Sequence, residues 1–247
     1  LMISIGLTQT LLIALALVEG GIHNELARAD AGEIPNFFFV DVPKAQTQAF
    51  ADFLSREAPG ARVEHVPMMR GRIVAVKDTP VERIAVADDA KWALEGDRGV
   101  TFSAAVPSNS TLASGDWWPA DYAGPPLVSL EQRIAEGLGL SIGDSIRVNV
   151  LGREITATIA SLRKVDWRSY AINFVMVFSP NVFAGAPYTE LFTVAYGAPT
   201  AAARDAMDSR LIREAAKRFP SVVSVRVKDA LAAIDKIAGQ LALAARA

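Results

Sequence analysis

The chain has 247 residues, enough for one large or two small domains. Its 51% hydrophobic and 21% charged residues describe a globular protein, and a net charge of −2 without a basic, aromatic-interleaved stripe argues against nucleic acid as a partner. No cysteine is present, which excludes disulfide frameworks and thiolate chemistry.

Leu1 to Val18 carries no charge and reads as the outer end of a membrane span. As a helix it would rise about 27 Å, close to the ~30 Å of a bilayer core. A buried core helix and a secretory signal are the competing readings, but no basic residue precedes the run and no small-x-small cleavage site follows it. Leu11, Leu15, Val18, Ile22, Leu26 and Ala29 form one apolar stripe that continues into charged sequence, as a helix leaving the membrane as a stalk would require. The residues just beyond the run are more acidic than basic, which puts them on the side away from the cytoplasm. Opening on leucine, the chain reads as a piece of a larger membrane protein.

Ala31-Gly32-Glu33-Ile34-Pro35 breaks the helix, and Asn36 to Val42 is rich in strand formers. Pro43 opens a helix whose Ala45, Ala49, Phe50, Phe53 and Leu54 share a face, and Arg62 to Val66 alternates as a second strand. The order returns later: a strand at Leu191 to Tyr196, a helix from Pro199 to Arg218, and a strand at Ser221 to Val227. Even the turns correspond, Ala58-Pro59-Gly60 against Phe219-Pro220-Ser221. Two such units are the halves of a ferredoxin-like βαββαβ sandwich, although the repeat is short and degenerate.

The intervening residues exceed any simple connection and predict a second, mainly β subdomain. Its expected elements are a strand at Arg72 to Val76, a helix at Ser129 to Leu138 with Ser129 as cap and Gln132 completing a capping box, and a hairpin of Ile146–Val150 and Glu154–Ile159 around Leu151-Gly152-Arg153. A strand at Ala171 to Phe178 follows. At the end of the chain Leu231, Ile234, Ala238, Leu241 and Ala245 form the seam of a helix whose natural partner is the first stalk. The expected organisation is therefore α+β. It comprises residues 1–33 as span end and stalk, 34–68 with 188–228 as an α+β subdomain, 69–187 as a β-rich insertion, and 229–247 as a second stalk.

Gly137-Leu-Gly139-Leu-Ser-Ile-Gly143-Asp144 invites a dinucleotide reading, but its flanks run from helix to strand. That is the reverse of the order that aims a helix N-terminus at a phosphate, so a turn with Gly139 as helix cap is expected. His23 and His65 are far apart and lack a carboxylate cluster, so neither a metal site nor a catalytic base is expected. Ser108, Ser110 and Ser114 sit in a polar, turn-like stretch without a nucleophile-elbow motif. Trp117, Trp118 and Tyr122 lie in a Pro/Gly-rich loop, where aromatic rings either contact a partner or ligand or lid the β subdomain; the lid is favoured. Trp167, between Asp166 and Arg168, is a further contact candidate whose alternative is ordinary packing beside an ion pair.

Gly139-Leu-Ser-Ile-Gly-Asp144 with its following hairpin resembles the periplasmic core domain of MacB-like and FtsX-like ABC transporter permeases. Val66 to Val74, Gly115 to Pro126, Asn149 to Arg153 and Val165 to Pro180 resemble the YbbP branch of that family. The resemblance implies an extracytoplasmic domain between two membrane helices, with a ferredoxin-like "porter" part interrupted by a β-rich "sabre" part. It also implies a bacterial inner-membrane location with the domain in the periplasm, and an ATP-binding subunit on the cytoplasmic side. A periplasmic partner, or an esterase encoded beside such permeases, is a further implied associate. The implied function is mechanotransmission: ATP-driven motion of membrane helices passes through the stalks to the handling of lipidic or hydrophobic molecules. No catalytic residue, cofactor or metal is implied in this domain. The coupling seam would comprise Leu15, Val18, Ile22 and Leu26 with Leu231, Ile234, Ala238 and Leu241. A membrane-tethered lipid-ester hydrolase using Ser108 or Ser110, and a ligand-sensing ectodomain, are the alternatives.

Overall fold

The computed structural model describes residues 34–167 and 171–233. In chain order the strands are β1 (Phe37–Pro43), β2 (Arg62–Val76), β3 (Thr79–Pro80), β4 (Arg98–Phe102), β5 (Ser110–Gly115), β6 (Leu127–Glu131), β7 (Ser145–Val150), β8 (Arg153–Val165), β9 (Met176–Phe178), β10 (Thr189–Ala195) and β11 (Val223–Arg226). The α-helices are α1 (Thr47–Glu57), α2 (Gln132–Gly137) and α3 (Ala201–Arg218), and residues 227–233 are also helical. The chain divides into two compact units: described residues 34–66 and 189–233 fall mainly in one, and 67–167 with 173–188 in the other.

In the first unit the strands lie in the order β11-β1-β10-β2, with β1 antiparallel to both neighbours. The alternation of β1 sends Phe37 and Phe39 inward, and helical spacing sends Phe50, Phe53 and Leu54 of α1 to the same core. Phe50 sits at the centre, edge-on to Phe39, Phe192 and Phe219 at 5.1, 5.2 and 4.9 Å. The likeness between the two turns is realised in detail. Ala58 and Phe219 end α1 and α3 with φ, ψ of −131°, 69° and −132°, 66°. Each donates its N–H to the carbonyl four residues back, and each then accepts from the residue three further on. A proline follows in both cases and forces the preceding residue out of the helical region.

In the second unit β2 is antiparallel to β4 and β7, β4 is parallel to β9, β9 is antiparallel to β6, and β6 is parallel to β8. Because β7 also pairs with β8, these six strands close a ring, and β5 extends it from β8. Closure removes most free sheet edges, and Ile73, Val100, Val128, Leu130, Val148, Ile159 and Phe178 fill the core. The expected hairpin forms with Leu151 and Gly152 both at positive φ, 52° and 83°, the two-residue turn that matches strand twist.

Three expected elements differ. The strands foreseen at 62–66 and 72–76 are one continuous β2, because Met68, Met69 and Gly71 continue its buried, paired register. The helix foreseen from Ser129 begins at Gln132. Ser129 is fully buried in β6, and the cap is Glu131, whose carboxylate accepts the Ile134 N–H at 2.8 Å. The strand foreseen from Ala171 is regular only at Met176–Phe178: the Phe174 carbonyl accepts from the side chain of Arg163, and the Val175 carbonyl is shared between Arg163 and the Glu131 N–H.

Candidate functional site

The aromatic loop starts where β5 must turn sharply. Gly115 has φ +77°, and a Cβ there would stand 2.3 Å from the Ala160 carbonyl oxygen, so only glycine fits. The two indoles that follow lie 4.1 Å apart. Trp117 donates its Nε1–H to the Ala104 carbonyl at 3.0 Å, and Trp118 donates to Ser103 at 2.8 Å. Trp118 is buried, whereas Trp117 and Tyr122 keep part of their surface open. Tyr122 donates its hydroxyl to Pro125, and Asn181 donates to the Gly124 carbonyl, so the loop is held at both ends by its own unit. Trp167 is edge-on to Trp92 at 6.0 Å, and Trp92 lies under the Arg98 guanidinium. Of the four site residues foreseen in this unit, Trp117 pairs with Trp118 and Trp167 pairs with Trp92, a ring that sequence reasoning did not single out, while Tyr122 is in neither pair.

Between β5, β6 and β8 lies a fully buried cation, Arg163. Its Nε–H donates to Ser129 Oγ at 3.0 Å, Nη1 donates to Ser110 Oγ at 3.0 Å, and Nη2 reaches the carbonyls of Phe174 and Val175 at 3.1 and 3.3 Å. Ser161 donates to Ser129 beside it. Burial lowers the guanidinium pKa to about 10, partly offset by the nearby Glu131 carboxylate. Ser110 is therefore an acceptor for a buried arginine, and among the described residues no histidine bonds to Ser108, Ser110 or Ser114. Arg163 escaped sequence reasoning, yet a signal exists: Ile155, Ala157, Ile159, Ser161 and Arg163 share one parity along β8, and all are buried.

The glycine stretch is a turn. The N–H of Gly139 bonds to Glu136 and that of Leu140 to Ala135, the Schellman pattern ending α2. Ser141 donates its N–H to Asp144 Oδ2, while Gly143 and Asp144 donate to Ile159 and Ser141, which leaves these N–H groups committed and not turned to a phosphate. Lys77 clamps the turn, with Nζ 2.7 Å from the Gly139 carbonyl and 3.0 Å from Asp144 Oδ2. The Lys77 and Ser141 hydrogen bonds hold the Asp144 carboxyl below its ordinary 3.8. Among the described residues no group of three or more His, Asp or Glu could hold a metal ion.

In the first unit, His65 Nδ1 lies 3.1 Å from Glu190 Oε2, and its ring stacks on Phe192. The place where the chain enters the sheet is tied to the place where it leaves. Asn36 donates its N–H to Val194, accepts the Val227 N–H at its carbonyl, and accepts the Tyr196 N–H at its side chain. Tyr196 donates its hydroxyl to the buried Asp208 of α3 at 2.6 Å, and burial followed by this bond raises the phenol pKa above its ordinary 10.0. Leu231 lies in the helical residues 227–233 and is partly buried. Leu15, Val18, Ile22, Leu26, Ile234, Ala238 and Leu241, with His23 and the foreseen span, lie outside the described residues. Among the described residues no helix is long and apolar enough to cross a membrane.

The class of protein to which the chain is similar in sequence is the ABC transporter permeases. The particular relative is the uncharacterized ABC transporter permease YbbP of Escherichia coli (strain K12), 28% identical over 186 residues. The match covers 75% of this chain and 22% of that protein, so the chain spans about a fifth of its relative's length. Among solved structures, the periplasmic region of MacB from Actinobacillus actinomycetemcomitans aligns with a TM-score of 0.43 and 8% identity, over 87% of this chain and 97% of that one. A permease-protein domain from Porphyromonas gingivalis aligns with a TM-score of 0.35 and 13% identity, over 70% of this chain and 74% of that one. These superpositions are loose, and the relationship rests on the sequence match. No family model matches the chain.

Proposed function

We propose that the chain is the extracytoplasmic domain of an ABC transporter permease, held between two membrane helices and facing the periplasm of a bacterial inner membrane. It acts as a non-enzymatic coupler: an ATP-binding subunit on the cytoplasmic side drives the membrane helices, and stalks continuous with residues 1–33 and 229–247 carry the motion outward. The geometric observation that carries the reading is the bond between Asn36 and Val227, which sets the two ends of the first unit side by side. A domain inserted between adjacent spans needs that arrangement.

Residues 34–68 with 188–228 are the ferredoxin-like porter part in this reading, and the order β11-β1-β10-β2, with helices between the outer and inner strands in sequence, supports it. Residues 69–187 are the sabre part, where Trp117, Trp118, Tyr122 and Trp167 are the candidate contacts for a hydrophobic cargo, a periplasmic partner or an esterase. The open surface on Trp117 and Tyr122 supports that role for the loop.

The test uses the absence of cysteine from this chain. Leu151, 63% exposed at the hairpin tip, is replaced by cysteine in a full-length permease lacking other cysteines. A membrane-impermeant maleimide is expected to label it in intact spheroplasts. Labelling only after lysis would contradict the proposed orientation.

A further inference from the structure

We infer that Arg226, the last residue of β11, is the joint through which the helical residues 227–233 act on α3; the inference rests on the permease reading above. The geometry is that of a latch between two positions. Arg226 Nε lies 3.5 Å from Asp208 Oδ2 and 3.8 Å from Asp229 Oδ2. The Nε–H itself is buried and has no hydrogen-bond partner among the described residues, although the side chain as a whole keeps 18% of its surface exposed. A buried donor left between two acceptors is an unfavourable arrangement that a shift of under about an ångström toward either would relieve.

The two carboxylates differ in kind. Asp208 is buried on α3, and its other oxygen is held by the Tyr196 hydroxyl at 2.6 Å, so its position is set by the sheet and the helix together. Asp229 is 67% exposed and belongs to the helical stretch itself. Rotation of that stretch moves Asp229 relative to a stationary Asp208, and Arg226 closes on one or the other. The guanidinium stands over the Phe37 ring, 5.9 Å from its centroid, which gives it a flat surface on which to move. A second link, Lys228 Nζ to Asp205 Oδ1 at 3.0 Å, joins the same stretch to the first turns of α3 and keeps the two in register. Two discrete arrangements biased by one moving element are what coupling between distant sites requires.

The experiment is hydrogen exchange of the full-length permease assembled with its ATP-binding subunit, without nucleotide and trapped with ATP and vanadate. Asp229→Asn removes the exposed arm of the latch without touching the buried Tyr196–Asp208 pair, and Arg226→Lys is the second variant. In the wild type, exchange in both 227–233 and α3 is expected to change on trapping by about fivefold or more. In Asp229→Asn the change is expected to persist in 227–233 and fall below about twofold in α3. A variant response equal to the wild type, or a wild-type change confined to 227–233, overturns the joint and leaves the permease reading standing. No nucleotide-dependent change anywhere in the wild-type domain overturns the permease reading, and the joint with it.

Discussion

The carbonyl oxygen of Asn36 accepts the backbone N–H of Val227 at 3.0 Å, joining residues nearly two hundred positions apart. The same asparagine takes the Tyr196 N–H on its side chain at 2.7 Å. One short residue therefore ties the point where the chain enters the first unit to its exit and to the end of β10.

Asn36→Ala leaves the Tyr196 N–H without its acceptor and is expected to cost roughly 1–3 kcal/mol. Asn36→Asp keeps an oxygen in place and should recover most of that loss. Amide exchange at Tyr196 and Val227 reads the effect locally. Equal exchange in both variants and the parent would show that the side chain does not secure this junction.

Arg163→Leu removes the donor to the Phe174 carbonyl and to Ser110, while Ser129 keeps Ser161 and Val175 keeps the Glu131 N–H; with the buried side chain's packing changed as well, it is expected to destabilise the second unit by about 3–4 kcal/mol. Ser110→Ala removes one partly exposed partner and should cost only about 1 kcal/mol. All four tryptophans lie in this unit, so denaturation followed by their fluorescence reports it alone. The same pair of variants bears on the hydrolase alternative, since an esterase activity lost in Ser110→Ala would revive it.

Trp118→Ala empties a buried site and is expected to cost about 3–5 kcal/mol, whereas Trp117→Ala, at a partly open position, should cost about 1 kcal/mol. If the loop contacts a partner or cargo, Trp117→Ala weakens capture in pull-downs from the assembled transporter while the denaturation midpoint hardly moves. Capture unchanged in a folded Trp117→Ala variant would leave the loop as a lid.

The Asp144 carboxyl is held below its ordinary 3.8 by Lys77 and the Ser141 N–H. Because the unfolded chain binds this proton more readily, the stability it contributes is present above pH 3.8 and lost as pH falls through the lower, folded value. Asp144→Asn should therefore be less stable than the parent at neutral pH, with the two curves converging on acidification below about pH 4. Parallel curves down to strongly acid pH would show that the Lys77 clamp is not the source.

Much of the fold was legible because its signals are local. The parity of Phe37 and Phe39, the helical spacing of Phe50, Phe53 and Leu54, the Leu151-Gly152 turn and the Gly139 cap each depend on residues within one or two turns of chain. The candidate site was legible only as a set of side chains. Trp117 and Trp118 were singled out together, but their hydrogen bonds to Ala104 and Ser103 come from another segment. The Ser129 cap was misplaced because Ser129 looks equally suited to a helix start and to a strand that buries it beside Ser161.

Period, turn chemistry and the paired Ala58 and Phe219 turns were decided by the order of residues, since backbone sterics and short-range hydrogen bonds answer to neighbours in sequence. The tertiary structure decided that Arg163 goes inside, that β7 closes a ring by pairing with both β2 and β8, and that Asn36 meets Val227. Each of these depends on partners brought close only by folding. A charge in a strand is soluble or buried according to whether distant serines and carbonyls arrive to receive it, and the residues around it do not carry that information.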